Sequence, residues 1–208
     1  MEGSIARWYE KNSRRDMGQF RELANRIEAG LPVGAGVLEV APGPGFLSIE
    51  MAKSGKFPIT ALEISKTFVE LVRTNAAKAG VAVDIREGNA SAMPFADNAF
   101  DLIVCRVAFK NFSEPVKALK EMHRVLRPGG IGVVIDLRRD TPMSAIRDYV
   151  DQTGMSWINR WMTLLTFRFM LLKRAYTRQE MQQMLGQVPF HKVEVQEIAI
   201  GMEAWFEK

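Results

Sequence analysis

The run from Val37 to Leu47, VLEVAPGPGFL, constrains the fold more than any other part of the chain. Its first five residues read as a buried strand, the two glycines and two prolines as a tight loop, and the residues from about Phe46 as a helix. Glycine lacks the Cβ that would keep a ligand away from the backbone. The helix start beyond it offers unpaired N–H groups to an anionic or polar group. Phosphate cradles, dinucleotide folds and plain turns all use such a unit, so the rest of the chain has to discriminate between them.

The next strand is Pro58 to Ile64, followed by a helix with Ser65 as its cap. Glu63 lies 20 residues after Gly43, where a doubly wound fold places the carboxylate that takes a ribose diol. A nicotinamide fingerprint would continue with a third glycine, and Ser48 stands there instead. Strands and helices alternate from residue 36 to 137, which predicts a parallel sheet covered on both faces. Helices are expected over 46–55, 65–79 and 114–126, with a fourth strand at Phe100–Arg106 and a fifth at Ile131–Leu137. Residues 4–29 read as an amphipathic helical cap whose apolar set is Ile5, Trp8, Phe20, Leu23 and Ile27. An insertion at 138–176 is too long for a bare loop and is expected to be helical. Over 177–208, Thr177-Arg178-Gln179-Glu180 forms a capping box that opens another helix. His191–Ile198 and Met202–Phe206 then form a hairpin turning at Gly201.

Four motifs taken together resemble the class I S-adenosylmethionine-dependent methyltransferases, over roughly residues 36 to 137. Glu39-Val-Ala41-Pro-Gly43-Pro-Gly45 is similar to that family's acidic, glycine-rich cofactor loop, with Ala41 in place of its first glycine. Glu87-Gly88-Asn89-Ala90-Ser91-Ala92-Met93-Pro94-Phe95 resembles its adenine-binding loop, with Asn89 where aspartate is commoner. Phe100–Arg106 matches its fourth strand, and Glu121 to Gly130 the helix and Pro-Gly-Gly turn before its fifth. The branch it looks most like methylates small molecules and includes enzymes of quinone biosynthesis. The resemblance implies an α/β, Rossmann-like, doubly wound sheet of seven mostly parallel strands, an antiparallel C-terminal hairpin and helices on both faces. It implies S-adenosyl-L-methionine as cofactor and S-adenosyl-L-homocysteine as product. The cofactor-side residues would be Tyr9, Glu39, Ala41, Gly43, Gly45, Glu63, Ile64, Asn89, Ala90 and Arg106. If the family's first glycine needs positive φ, Ala41 is strained there. Relatives of the quinone type often carry paired histidines at the positions of Lys110 and Asn111, which makes these two the acceptor-side candidates.

Several readings stay open at this level. Glu39 either orients the loop or reaches the methionine amino group through water, since an unpaired carboxylate inside a strand is costly. Arg106 lines the cofactor or pairs locally, Lys110 faces the acceptor or is an ordinary solvated lysine, and Asp136 lies at the mouth or fixes the turn after it. His123 reads as structural and His191 as exposed. No Cys/His cluster has metal-ligand spacing, no nucleophile–base triad can be assembled, and no metal is expected. Methyl transfer from a sulfonium is an in-line displacement that alignment and desolvation can support without a strong base, given a thiol, amine, phenol or enolate-type carbon as acceptor.

With 208 residues the chain can bury a core without disulfides, and its one cysteine, Cys105, sits in a strand as a buried thiol. A net charge of +4 is too mild to indicate nucleic acid, and the Asn-Pro-Pro-Tyr-type loop of base-modifying enzymes is absent. The first residues lack the apolar run of a signal peptide, so the expected location is cytoplasmic. The segment 157–174 is apolar on most of its circumference and carries only basic charges. It reads as a lid and pocket wall over an apolar acceptor, helped by Trp8 and Tyr9 from the N-terminal cap, or as a surface touching anionic membrane. The pattern favours the lid. The expected partner is a small molecule. A domain that binds the nucleoside without turning it over, and more remotely an RNA methyltransferase, are the alternatives.

Overall fold

The computed structural model describes residues 1–152 and 156–208. Its strands are β1 (Val37–Val40), β2 (Ile59–Glu63), β3 (Asp84–Glu87), β4 (Phe100–Arg106), β5 (Leu126–Leu137), β6 (Lys192–Ile198) and β7 (Gly201–Glu207). They form one sheet in the order β3-β2-β1-β4-β5-β7-β6. β1 through β5 pair in parallel, while β7 runs antiparallel to both β5 and β6. The order reverses between β1 and β4, so a crevice opens at the C-terminal ends of those strands, directly above the glycine loop.

The period-two alternation of strand side chains divides the core between the two faces. Leu38, Val40, Leu62, Ile103, Cys105 and Val134 bury against Leu119 and Met122 of α5 (Pro115–Val125) and Met181 and Leu185 of α9 (Arg178–Leu185). Val37, Ile59, Leu102, Val104 and Val133 point the other way. They meet Leu23, Ala24 and Ile27 of α2 (Met17–Glu28) and Leu47 and Met51 of α3 (Phe46–Ala52). On this second face α4 (Lys66–Ala79) packs Val69 and Val72 on Ala61 and Ile85. Cys105 is fully buried, and burial raises its thiol well above the ordinary range, which keeps it an inert hydrophobe.

Local signals set the helix starts. Ser65 accepts from the Phe68 N–H at the head of α4, and Thr177 and Glu180 form the expected reciprocal capping box on α9. α4 has a second cap from a distance: the Glu2 carboxylate accepts from the Lys66 and Thr67 N–H groups, both at 3.1 Å. The Thr67 hydroxyl also donates to Glu2, and that bond first, with the backbone donors after it, holds the Glu2 carboxyl below its usual range.

Three expectations are corrected. The N-terminal region is two helices, α1 (Gly3–Ser13) and α2, broken by a 3₁₀ turn over Arg14–Asp16, and α1 buries only Ala6 while Ile5 and Trp8 face solvent. The helix expected over 46–55 stops at Ala52. The Pro128-Gly129-Gly130 run is not a turn ahead of the fifth strand but part of β5. Gly129 N–H donates to the Lys208 carbonyl at 2.7 Å and Lys208 N–H to the Gly130 carbonyl at 3.1 Å, which draws the run into the ladder. The insertion is helical as expected, with α6 (Met143–Gln152), α7 (Trp157–Thr166), a π turn at Phe167–Leu171 and α8 (Leu172–Arg174).

Candidate cofactor and acceptor site

The loop leaving β1 takes left-handed backbone at three residues: Ala41 at φ +55°, Gly43 at +56° and Gly45 at +80°. Gly45 has a second constraint, because a Cβ there would come within 2.9 Å of the Val72 side chain and force α4 away. Ala41 has no such release, so its positive φ stores strain beside the crevice. Its N–H donates to the Leu62 carbonyl at 2.8 Å, tying the loop to β2. Asn75 of α4 donates to the Pro44 carbonyl at 3.1 Å and accepts from Arg14 at 3.0 Å. The Arg14 guanidinium carbon lies 5.3 Å from the Phe46 ring centre. The helical cap is thereby braced against the loop.

Two carboxylates stand behind this loop. Glu63, at the end of β2 and only 5 % exposed, accepts from Gly43 N–H at 3.2 Å and from Ser65 N–H at 2.9 Å. Burial raises its pKa, and the backbone donors partly offset that rise. Glu39, inside β1, accepts from Ser48 N–H at 2.8 Å and also from the Ser48 hydroxyl. Its pKa is pushed up to about 7, first by burial, against the pull of the Ser48 hydrogen bonds and Arg106. Glu39 therefore fixes the first turn of α3. Ser48, which looked like a missing glycine, is the partner that lets a carboxylate sit within a strand. No spacing rule in the sequence pairs these two residues.

Tyr9 of α1 lies across the loop: a Cβ on Gly43 would be 3.8 Å from Tyr9 Cε1, and the Tyr9 ring stacks edge-on against Phe68 with centres 6.0 Å apart. Ile64, next to Glu63, is 64 % exposed at the strand end. Asn89 is exposed, and its side-chain oxygen accepts from Ser91 N–H at 2.9 Å in a local turn, with half-buried Ala90 beside it. Arg106 leaves the end of β4 toward α2, donating to Gln19 at 3.2 Å with its guanidinium carbon 4.5 Å from the Phe20 ring centre.

Lys110 is not a solvated lysine. Its ammonium donates to Asp136 Oδ1 at 2.9 Å and to the Val107 carbonyl at 2.7 Å, while its own N–H donates to Asp136 Oδ2 at 2.9 Å. Both side chains are nearly fully buried. Asp136 also accepts from Leu137 N–H at 2.7 Å, so it both stands at the mouth and fixes the chain there. Val107, a β-branched residue at φ +54°, is held in that unfavourable conformation by the lysine on its carbonyl and by Ile135, whose carbonyl takes its N–H at 2.7 Å. Asn111 ends the short 3₁₀ turn and is exposed. Tyr176, from the end of the insertion, packs on Phe109 with ring centres 5.9 Å apart, closing the other side of this corner. An aspartate ending an apolar strand was visible in the sequence; its cation, 26 residues away, was not. Trp157 and Trp161, the expected covers, are exposed. His123 is an edge-on neighbour of Phe190, and His191 is exposed. Among the described residues no His, Cys, Asp and Glu cluster has the arrangement of a metal site.

A doubly wound sheet with this order, an acidic strand end 20 residues past the loop and an antiparallel last pair make up the class I methyltransferase fold. Residues 38–134 of the chain match the methyltransferase-domain family. It is similar to demethylmenaquinone methyltransferase of Renibacterium salmoninarum, 35 % identical over 127 residues that cover 60 % of this chain and 52 % of that protein. It is also similar to the ubiquinone/menaquinone biosynthesis C-methyltransferase UbiE of Hahella chejuensis, 32 % identical over 120 residues covering 55 % of this chain and 47 % of that one. The matches thus span about half the length of these relatives. In fold it resembles a proposed S-adenosyl-L-methionine-dependent methyltransferase of Methanococcus maripaludis, at a TM-score of 0.76 and 22 % identity over 98 % of this chain and 91 % of that one.

Proposed function

We propose that this protein transfers a methyl group from S-adenosyl-L-methionine to a small, hydrophobic acceptor. The observation that carries the reading is Glu63, a buried carboxylate at the β2 end seated on the Gly43 N–H, with exposed Ile64 beside it. That is a place for a ribose diol and an aromatic base, next to a loop whose backbone a ligand can approach. The residues fit the cofactor. Bound there, it supplies an activated methyl on a sulfonium.

The chain's own part is to bind and align. Glu63 accepts from the ribose hydroxyls with the lone pairs its two backbone donors leave. Gly43 and Gly45 bring the main chain close, and Tyr9 excludes water above them. Glu39 holds the first turn of α3 in place through Ser48. Asn89 and Ala90 border the adenine side. On the acceptor side, the Lys110–Asp136 pair fixes the backbone of Val107 and Lys110, and Asn111 is exposed beside it. Among the described residues no strong base stands there, which suits an acceptor that brings its own nucleophile: a thiol, amine, phenol or enolate-type carbon. The quinone-biosynthesis names of the sequence relatives favour the last two.

Calorimetric titration with S-adenosylmethionine, S-adenosylhomocysteine and NAD tests the cofactor. Binding of NAD with no response to either sulfur nucleoside overturns the proposal. A second reading, a domain that holds the nucleoside without turnover, draws on Lys110 being committed to Asp136 rather than to a substrate. A screen of thiols, phenols and quinols separates the two, since only the enzyme releases S-adenosylhomocysteine.

A further inference from the structure

α7, the π turn and α8 make one helical rod, Trp157 to Arg174, with two apolar sides of which only one is covered. Phe167 and Leu172, with half-buried Leu164 and Leu171, pack on Leu137, Ile146, Val150 and Ala175. The other side exposes Trp157 (79 %), Trp161 (62 %), Met162, Phe169 and Met170 (66 %). A helix apolar all round is normally buried on all sides, so this bare side calls for something to cover it. The π turn adds to it. Phe167 is buried and the next three residues, Arg168, Phe169 and Met170, all turn outward.

The charges around the rod say what that cover is. From Gln152 to Gln179 there is no acidic residue, while Arg160, Arg168, Lys173, Arg174 and Arg178 are present. These five cations exceed the net charge of +4 of the whole chain, so the rest of the protein is slightly acidic. Arg160 pairs with Asp151 at the start of the rod. Arg168, Lys173, Arg174 and Arg178 are exposed, and the Arg168 guanidinium carbon sits 5.4 Å from the Phe169 ring centre. Tryptophan, phenylalanine and methionine on a rod whose own charges are all basic match the boundary between acyl chains and anionic headgroups, where aromatic rings embed and arginines reach the phosphates. A second copy of this chain would oppose cation to cation. RNA would stack on the tryptophans but gain nothing from Met162 and Met170. Among the described residues no helix is long and apolar enough to cross a membrane, so the contact would lie in the membrane surface.

We infer that the rod at 157–174 docks this protein on the surface of an anionic lipid bilayer. The rod follows α6, which the chain enters from the C-terminal end of β5, the sheet edge that also carries the glycine loop. That this would deliver a lipid-dissolved acceptor rests on the proposed reaction; the docking does not.

Flotation of the full chain with vesicles tests it, using phosphatidylcholine alone and with about one third phosphatidylglycerol. The full chain floats with the anionic vesicles and not with the neutral ones, and added salt releases it. Trp157→Ala with Trp161→Ala lowers partition about tenfold or more. Arg168→Gln with Lys173→Gln and Arg174→Gln lowers it about a hundredfold. Both variants keep the thermal midpoint and the S-adenosylhomocysteine affinity of the parent, which separates a loss of docking from misfolding or a lost cofactor site. The inference is overturned by absent flotation with anionic vesicles, by undiminished flotation of either folded variant, by a concentration-dependent dimer that the tryptophan variant abolishes, or by salt-steep RNA binding without vesicle binding.

Discussion

Replacing Glu39 by glutamine should stabilise the ligand-free protein, and by an amount that grows with pH. Glu39 sits among Val37, Leu38 and Val40 in a strand with every residue buried, and its hydrogen bonds come from one residue, Ser48. Burial lifts its pKa from 4.5 to about 7. Between those values the folded chain holds a proton that the unfolded chain has released, so stability falls as pH rises through that window. At about 1.4 kcal/mol per pH unit, the folded state has lost roughly 3 kcal/mol from this group above pH 7. Below the unfolded value it has lost nothing. Glutamine fills the same space and still accepts from Ser48, but has no charge to desolvate. Urea unfolding of both proteins should place Glu39→Gln roughly 3 kcal/mol above the parent near pH 8, and ahead by under about 1 kcal/mol near pH 5. Other titrating groups are common to both chains and cancel in the difference. A stability gap that stays constant across this range would show that Glu39 is ionised throughout, and the burial argument would fail.

Three further substitutions probe the site. Glu63→Ala should weaken S-adenosylhomocysteine binding by about 1–3 kcal/mol, the range for a charge-assisted hydrogen-bond partner, and unchanged affinity by calorimetry removes the ribose assignment. Lys110→Ala leaves Asp136 buried without its cation and should cost about 3–5 kcal/mol in denaturant unfolding, most of it recovered in Lys110→Met with Asp136→Leu. If the single variant unfolds like the parent, the pair does not hold this corner together. Ala41→Gly relieves the strain at φ +55° and should raise stability by about 0.5–1 kcal/mol, the relief of a left-handed alanine less the added freedom of glycine in the unfolded chain; a lower melting temperature would contradict this.

The readable parts of this protein were those whose cause lies within a few residues or in a fixed spacing. The loop at Gly43 and Gly45, the caps at Ser65 and Thr177 and the alternation of strand residues follow from backbone sterics, local hydrogen bonds and period. The offset of Glu63 from Gly43 follows from the length of one helix and one strand, while the doubly wound order of the sheet was what the resemblance of the motifs implied. What only the tertiary structure decided concerns desolvation and pairing across the sequence. Ser48 makes Glu39 tolerable, Asp136 takes Lys110 out of solvent, Glu2 caps a helix more than sixty residues away, and Lys208 draws the Pro-Gly-Gly run into β5. A charged residue in an apolar stretch announces that it needs a partner but not which one, because the partner is chosen by the packing of distant elements. Exposure was decided the same way. Trp8 and Trp161 carry the pattern of buried residues, yet both face solvent, because burial requires a covering surface that a residue's own sequence does not supply.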